Sequence, residues 1–177
     1  MQNLKAVCFA VVLAVTGLTL GTVSTEATII KPIRVSYHDL QPEARKQVDC
    51  LADNIYFEAR SEPRDGQKAV ALVTMNRVES GNFASSICGV VKQKAHSVCQ
   101  FSWWCEPEAR NKAINRHVNM ELYEQVRLVA LEVYLNYDRM RDITKGALFY
   151  HADYVNPGWR NMRVTVKIGQ HIFYNRT

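Results

Sequence analysis

The sequence predicts one α+β domain, mostly helical, with a small C-terminal β-hairpin. Three observations predict it. The chain has 177 residues, the size of a single domain. Apolar residues recur at helical spacing through much of the stretch from Pro42 to Tyr137. The period then changes. Val164, Val166 and Ile168 alternate, Gly169-Gln170 suits a turn, and His171-Ile172-Phe173-Tyr174 returns as a second strand.

Residues 1–27 read as a secretory signal. Lys5 is the one charge ahead of an apolar or small-residue stretch from Ala6 to Val23, and Thr25-Glu26-Ala27 supplies a cleavage site. Thr16, Gly17, Thr19, Gly21 and Thr22 dilute the stretch as a membrane span, so stable membrane insertion after processing is not expected. Loss of Lys5 and Glu26 leaves the net charge at +5, a mild basic excess compatible with an anionic envelope polymer. No run of basic residues points to nucleic acid.

Residues 28–40 are expected to be an extended lead-in and residues 41–177 the functional domain. Pro42 suits a first helical turn, and Val48, Leu51, Ala52, Ile55 and Ala59 form an apolar stripe. Pro63 breaks this helix. A second helix from about Asp65, which would cap it, to Val78 is apolar nearly all round. That is the mark of a central helix. A short helix follows around residues 86–93, then an irregular segment over 94–116, then a third long helix over 120–137.

Cys8 lies in the leader, so the exported part keeps Cys50, Cys88, Cys99 and Cys105. In an exported chain these read as disulfides with three possible pairings, one of which joins Cys99 to Cys105 and Cys50 to Cys88. Zinc-ligand spacing is absent, as is H-E-x-x-H, so no metal site is expected.

Glu58 is the leading chemical candidate. It lies on or beside the apolar stripe of the first helix, and a carboxyl held against apolar surface keeps its proton as a general acid must. Glu62 falls where the helix should end and reads better as a loop or cap carboxylate orienting the second helix. Trp103, Trp104, Tyr150, Trp159 and Tyr174 offer ring faces that suit the C–H faces of sugars. Gln100 and Ser102 flank Phe101 and are expected to face a ligand together. His151 and His171 read as structural or hydrogen-bonding residues.

The block Tyr56-Phe57-Glu58-Ala59-Arg60-Ser61-Glu62-Pro63 carries a family resemblance. So do Gly66-Gln67, Asn76-Arg77-Val78, Cys99-Gln100-Phe101-Ser102-Trp103, Ala147-Leu148-Phe149-Tyr150-His151, Pro157-Gly158-Trp159 and Ile168-Gly169-Gln170-His171. In this order they resemble the SleB/CwlJ-type cell wall hydrolases, the group of spore-cortex-lytic catalytic domains. The resemblance implies a lysozyme-like, lytic-transglycosylase-like fold with one essential glutamate, which falls on Glu58. It implies cleavage of peptidoglycan glycan strands between N-acetylmuramic acid and N-acetylglucosamine by lytic transglycosylation, without a cofactor. Glu62, Gln100, Ser102, Trp103, Tyr150, His151 and Trp159 are then expected to hold the substrate. Hydrolysis by a muramidase or glucosaminidase route, or a non-catalytic wall-binding module, are the alternatives. The expected location is exported, periplasmic or wall-associated, and no protein partner is indicated.

Overall fold

The computed structural model describes residues 35–116 and 118–177. The expected leader over 1–27, and residues 28–34 of the expected lead-in, lie outside the described residues. Tyr37–Asp39 is a single 3-10 turn rather than extended chain, closed by Ser36 and Asp39 in a reciprocal cap.

Six helices follow: α1 (Pro42–Ala59), α2 (Arg64–Glu79), α3 (Ile87–Lys92), α4 (Ser102–Cys105), α5 (Pro107–Ile114) and α6 (Met120–Asn136). Pro42 opens α1, where its missing N–H costs nothing. Pro63 ends the run, because inside a helix it would remove a hydrogen bond and strike the carbonyl of Ala59. That carbonyl instead accepts the N–H of Glu62 at 3.0 Å. Asp65 is not the cap of α2. Pro63 occupies that position and Asp65 sits in the first turn, where its charge still favours the helix dipole. Asn119 caps α6 by accepting the N–H of Leu122 at 3.0 Å.

The core forms where α1, α2, α3 and α6 pack together. Leu51, Ile55, Leu72, Val90, Val126 and Val129 have at most 1% of their surface exposed. Burial of each such side chain contributes roughly 1.5–3 kcal/mol. Disulfides join Cys50 to Cys88, tying α1 to α3, and Cys99 to Cys105.

The segment over 94–116 is more ordered than its composition suggests. Lys94–Ala95 (β1) pairs with Val98–Cys99 (β2), and α4 and α5 follow, the latter opened by Pro107. The C-terminal hairpin is present as β4 (Met162–Ile168) and β5 (His171–Arg176), but it is part of a larger sheet. Phe149–Ala152 (β3) pairs with the other edge of β5, giving an antiparallel order β3-β5-β4. A small second cluster, Ala69, Val73, Ala147 and Phe173, seats the sheet on α2. Among the described residues no helix is long and apolar enough to cross a membrane.

Candidate active site

Between the C-terminal end of α1, the α4–α5 segment and the β3–β5 edge lies a cleft of about 790 Å³. Glu58 lines it from the last turn of α1. The Tyr150 hydroxyl on β3 donates to Glu58 Oε2 at 3.1 Å. Burial raises the Glu58 pKa to about 7, with the Glu106 charge a minor contribution in the same direction. The Tyr150 bond and the Arg77 guanidinium oppose this by favouring the carboxylate, but burial prevails. Burial and the neighbouring Glu58 hold the Tyr150 phenol well above its ordinary range, so it remains a donor.

Arg77 is almost fully buried on α2. Its Nε donates to the Leu148 carbonyl at 2.8 Å, and its guanidinium lies over the rings of Phe83 at 5.2 Å and Phe101 at 4.9 Å. It therefore lends positive potential to Glu58 while it anchors the residue that leads into β3. Asp53 offers a contrast. It too is pushed up by burial, but its Oδ1 accepts from both Tyr123, at 2.9 Å, and Arg116, which commits that oxygen to structure.

The sequence-nominated residues do not all converge here. Tyr150, His151, Ser102 and Trp103 line the cleft with Glu58. His151 stacks on Tyr174 with ring centroids 5.1 Å apart. Its Nδ1 lies 2.8 Å from the Ala152 carbonyl, which only accepts, so the hydrogen sits on Nδ1 and Nε2 receives the Tyr174 hydroxyl at 2.8 Å. Both nitrogens are thus spent on holding the wall. Trp103 is only 4% exposed. Its indole N–H donates to Asn54 Oδ1 at 3.0 Å and its ring stacks on Phe57 at 4.7 Å, so it is first a packing residue.

Gln100, Trp159 and Glu62 sit elsewhere. Gln100 lines a separate depression with Phe83 and Phe149, because buried Phe101 turns the chain and Ser102 starts α4 on the other side. The two do not face one ligand. Trp159 is 44% exposed but packs beside Phe149, His151 and Tyr174 on the far side of the sheet edge. Glu62 is buried against the β4–β5 turn, where its Oε2 accepts the Gln170 N–H at 3.0 Å.

Other cleft residues escaped the sequence. Glu106, at the N-cap of α5, and Glu108 bring further carboxylates to the wall. Tyr154 and Val155 form an exposed rim, and His171, read only as structural or hydrogen-bonding, enters from the start of β5. Burial lowers the His171 pKa, favouring the neutral ring. Pro107 was the available signal for Glu106, since proline at a first helical position marks the residue before it as a cap. Among the described residues no three His, Cys, Asp or Glu side chains gather as a metal set.

Residues 61–174 match the family described as Cell Wall Hydrolase, a stretch that begins just after Glu58. The spore cortex-lytic enzyme of Oceanobacillus iheyensis is 30% identical over 135 residues, which is 75% of this chain and 43% of the relative. That of Halalkalibacterium halodurans is 33% identical over 130 residues, 72% of this chain and 34% of the relative. The chain thus spans less than half the length of these relatives. The crystal structure of the catalytic domain of the Bacillus cereus SleB protein aligns with a TM-score of 0.48 and 26% identity, covering 74% of this chain and 91% of that one.

Proposed function

We propose a reaction from one premise: the chain belongs to the Cell Wall Hydrolase family. The reaction is cleavage of the peptidoglycan glycan strand between N-acetylmuramic acid and N-acetylglucosamine, by lytic transglycosylation, with Glu58 as acid and then base. One observation carries the reading. Glu58 keeps its proton to about pH 7 on the wall of an open cleft, under a phenol that donates to it.

The protonated Glu58 carboxyl gives its proton to the glycosidic oxygen as the bond to the muramoyl C1 breaks, through an oxocarbenium-like state. The departing sugar leaves as an alcohol. The muramoyl C6 hydroxyl oxygen then bonds to C1, and its proton passes to the Glu58 carboxylate. The acid is regenerated and a 1,6-anhydro ring closes. No water is consumed and no cofactor is needed for these steps. Tyr150 orients the carboxyl and steadies its ionised form, which is what the second half-reaction requires.

Residues 1–27 act as the export signal in this reading, and the protein works in the periplasm or at the wall. The two disulfides support an oxidising compartment. Hydrolysis is the second reading, favoured by one observation. Glu106 shares the cleft with Glu58 and is a candidate to hold a water for direct attack.

Mass spectrometry of soluble fragments released from purified peptidoglycan tests both. Anhydro-ended fragments, lighter by one water than hydrolysed ones, are the expected product. Reducing ends alone would assign hydrolysis. Binding to walls with no fragment released would make the chain a wall-binding module.

A further inference from the structure

The second carboxylate of the Glu58–Glu62 block is held in an unusual way. Glu62 is only 9% exposed, and among the described residues no Lys or Arg pairs with it. A buried carboxylate without a cation is costly unless directed hydrogen bonds hold it. Its Oε2 accepts the Gln170 N–H at 3.0 Å. Two glycines make room for it. A Cβ on Gly169 would overlap Oε2, and one on Gly66 would stand 2.9 Å from the same atom. Gly169 also has φ of +56°, which other residues adopt with strain. The Glu62 backbone is fixed in turn, since Gln67 Nε2 donates to its carbonyl at 3.1 Å.

From Gln170 the contacts lead to the cleft. The Gln170 carbonyl accepts the Asp153 N–H at 2.7 Å, and Asp153 immediately precedes the rim residues Tyr154 and Val155. The next residue after Gln170 is His171, which lines the cleft and meets the Tyr150 ring edge-on at 5.2 Å. The α1–α2 elbow thus carries two carboxylates with opposite aims. Glu58 points into the cleft, and Glu62 grips the turn from which the facing wall is hung.

We propose that Glu62 is a positioning residue, which ties the β4–β5 turn to the α1–α2 elbow and thereby holds Tyr150, His171 and the Tyr154 rim in register with Glu58. The role rests on the reading of Glu58 as the acid. It differs from a purely structural strap in what it predicts. A strap affects how much protein is folded, whereas a register device affects turnover in protein that is fully folded.

The test compares wild type, Glu62→Ala, Glu62→Gln and Gly169→Ala, with hydrogen exchange at the Gln170 amide and steady-state turnover of purified peptidoglycan. Glu62→Ala should remain folded, speed Gln170 exchange by roughly tenfold or more, and lower kcat by roughly 10–10²-fold with a smaller change in KM. Glu62→Gln keeps a carbonyl acceptor and should restore both slow exchange and most of kcat. Gly169→Ala forces the carboxylate away from the turn and should mimic Glu62→Ala, which preserves the test if the alanine variant does not fold. Fast Gln170 exchange with wild-type kcat would overturn the positioning role, and unchanged exchange in Glu62→Ala would overturn the contact itself. Wild-type protein that releases no fragments would instead remove the proposed reaction, with the exchange data still reporting the contact.

Discussion

Glu58 stands on a wall built from α1, α4 and α5, whereas Tyr150 and His171 stand on a wall built from β3 and β5. The helical wall backs onto the main core, is crossed by two disulfides, and is locked at Trp103 by the bond to Asn54. The sheet wall rests on four buried apolar residues. Directed bonds complete its seating: Asn76 Nδ2 to the Ala147 carbonyl at 3.1 Å, Arg77 Nε to the Leu148 carbonyl at 2.8 Å, and the Gln170 N–H to Glu62 Oε2 at 3.0 Å. Apolar burial is strong but non-directional, while a hydrogen bond weakens steeply when bent. The two walls therefore divide the labour. The helical wall supplies stability and the burial that keeps the Glu58 proton. The sheet wall supplies alignment. Changes on the first should register mainly in folding, and changes on the second mainly in rate.

Glu58 itself is the exception that sets the scale. Glu58→Gln keeps the shape and removes the transferable proton, so turnover on purified peptidoglycan should fall by roughly 10²–10⁴ with the circular dichroism spectrum unchanged.

Trp103→Ala tests the helical wall proper. A buried aromatic replaced by alanine costs about 3–5 kcal/mol, so urea unfolding should show a large loss of stability. A stable variant with weakened wall binding would return Trp103 to the sugar-platform role that its ring face suggested.

The disulfides sharpen the same wall. The Cys50–Cys88 bridge closes a separation of 38 residues and should contribute about 4 kcal/mol by loop entropy, against about 2 kcal/mol for Cys99–Cys105 with a separation of 6. Paired alanine variants measured by denaturant melts should rank in that order.

Much of this division was legible in the sequence, and unequally. The helical wall was readable because Leu51, Ile55 and Ala59 repeat at helical spacing, and because Pro63 must end the run. Glu58 was readable by its place on that stripe. The hairpin was readable from Gly169-Gln170 between alternating residues. β3 was not, because all four of its residues are half-buried and leave no in-out alternation to detect. α4 and α5 are too short for periodicity to show, though Pro107 marked the second. The placement of Trp159 and Gln100 failed for another reason. An exposed aromatic or amide announces a surface, and only the tertiary arrangement says which one. Glu62 and Gln170 are 108 residues apart, so no local pattern announces their bond.

Tyr150→Phe probes the sheet wall with the smallest change, one hydroxyl. We expect a loss of about tenfold in kcat or less and a stability loss of at most about 1.5 kcal/mol, since the bond meets a protonated Glu58 and a hydrogen bond to a neutral group contributes about 0.5–1.5 kcal/mol. The Tyr150 bond favours the Glu58 carboxylate, so its removal should move the alkaline limb of the pH–rate profile upward. A limb that stays fixed would mean that the phenol does not govern the acid.

The cleft keeps Glu58 protonated near neutral pH, and direct titration of its carboxyl carbon by NMR, with Glu58→Gln identifying the signal, tests this. The folded protein binds this proton more tightly than the unfolded chain. Its contribution to stability is therefore full below the ordinary value of 4.5 and lost as pH rises to about 7, and the acid form that the proposed reaction requires disappears over the same upper range. The expected midpoint is near 7. A midpoint at the ordinary glutamate value would overturn it, whatever fragments the protein releases.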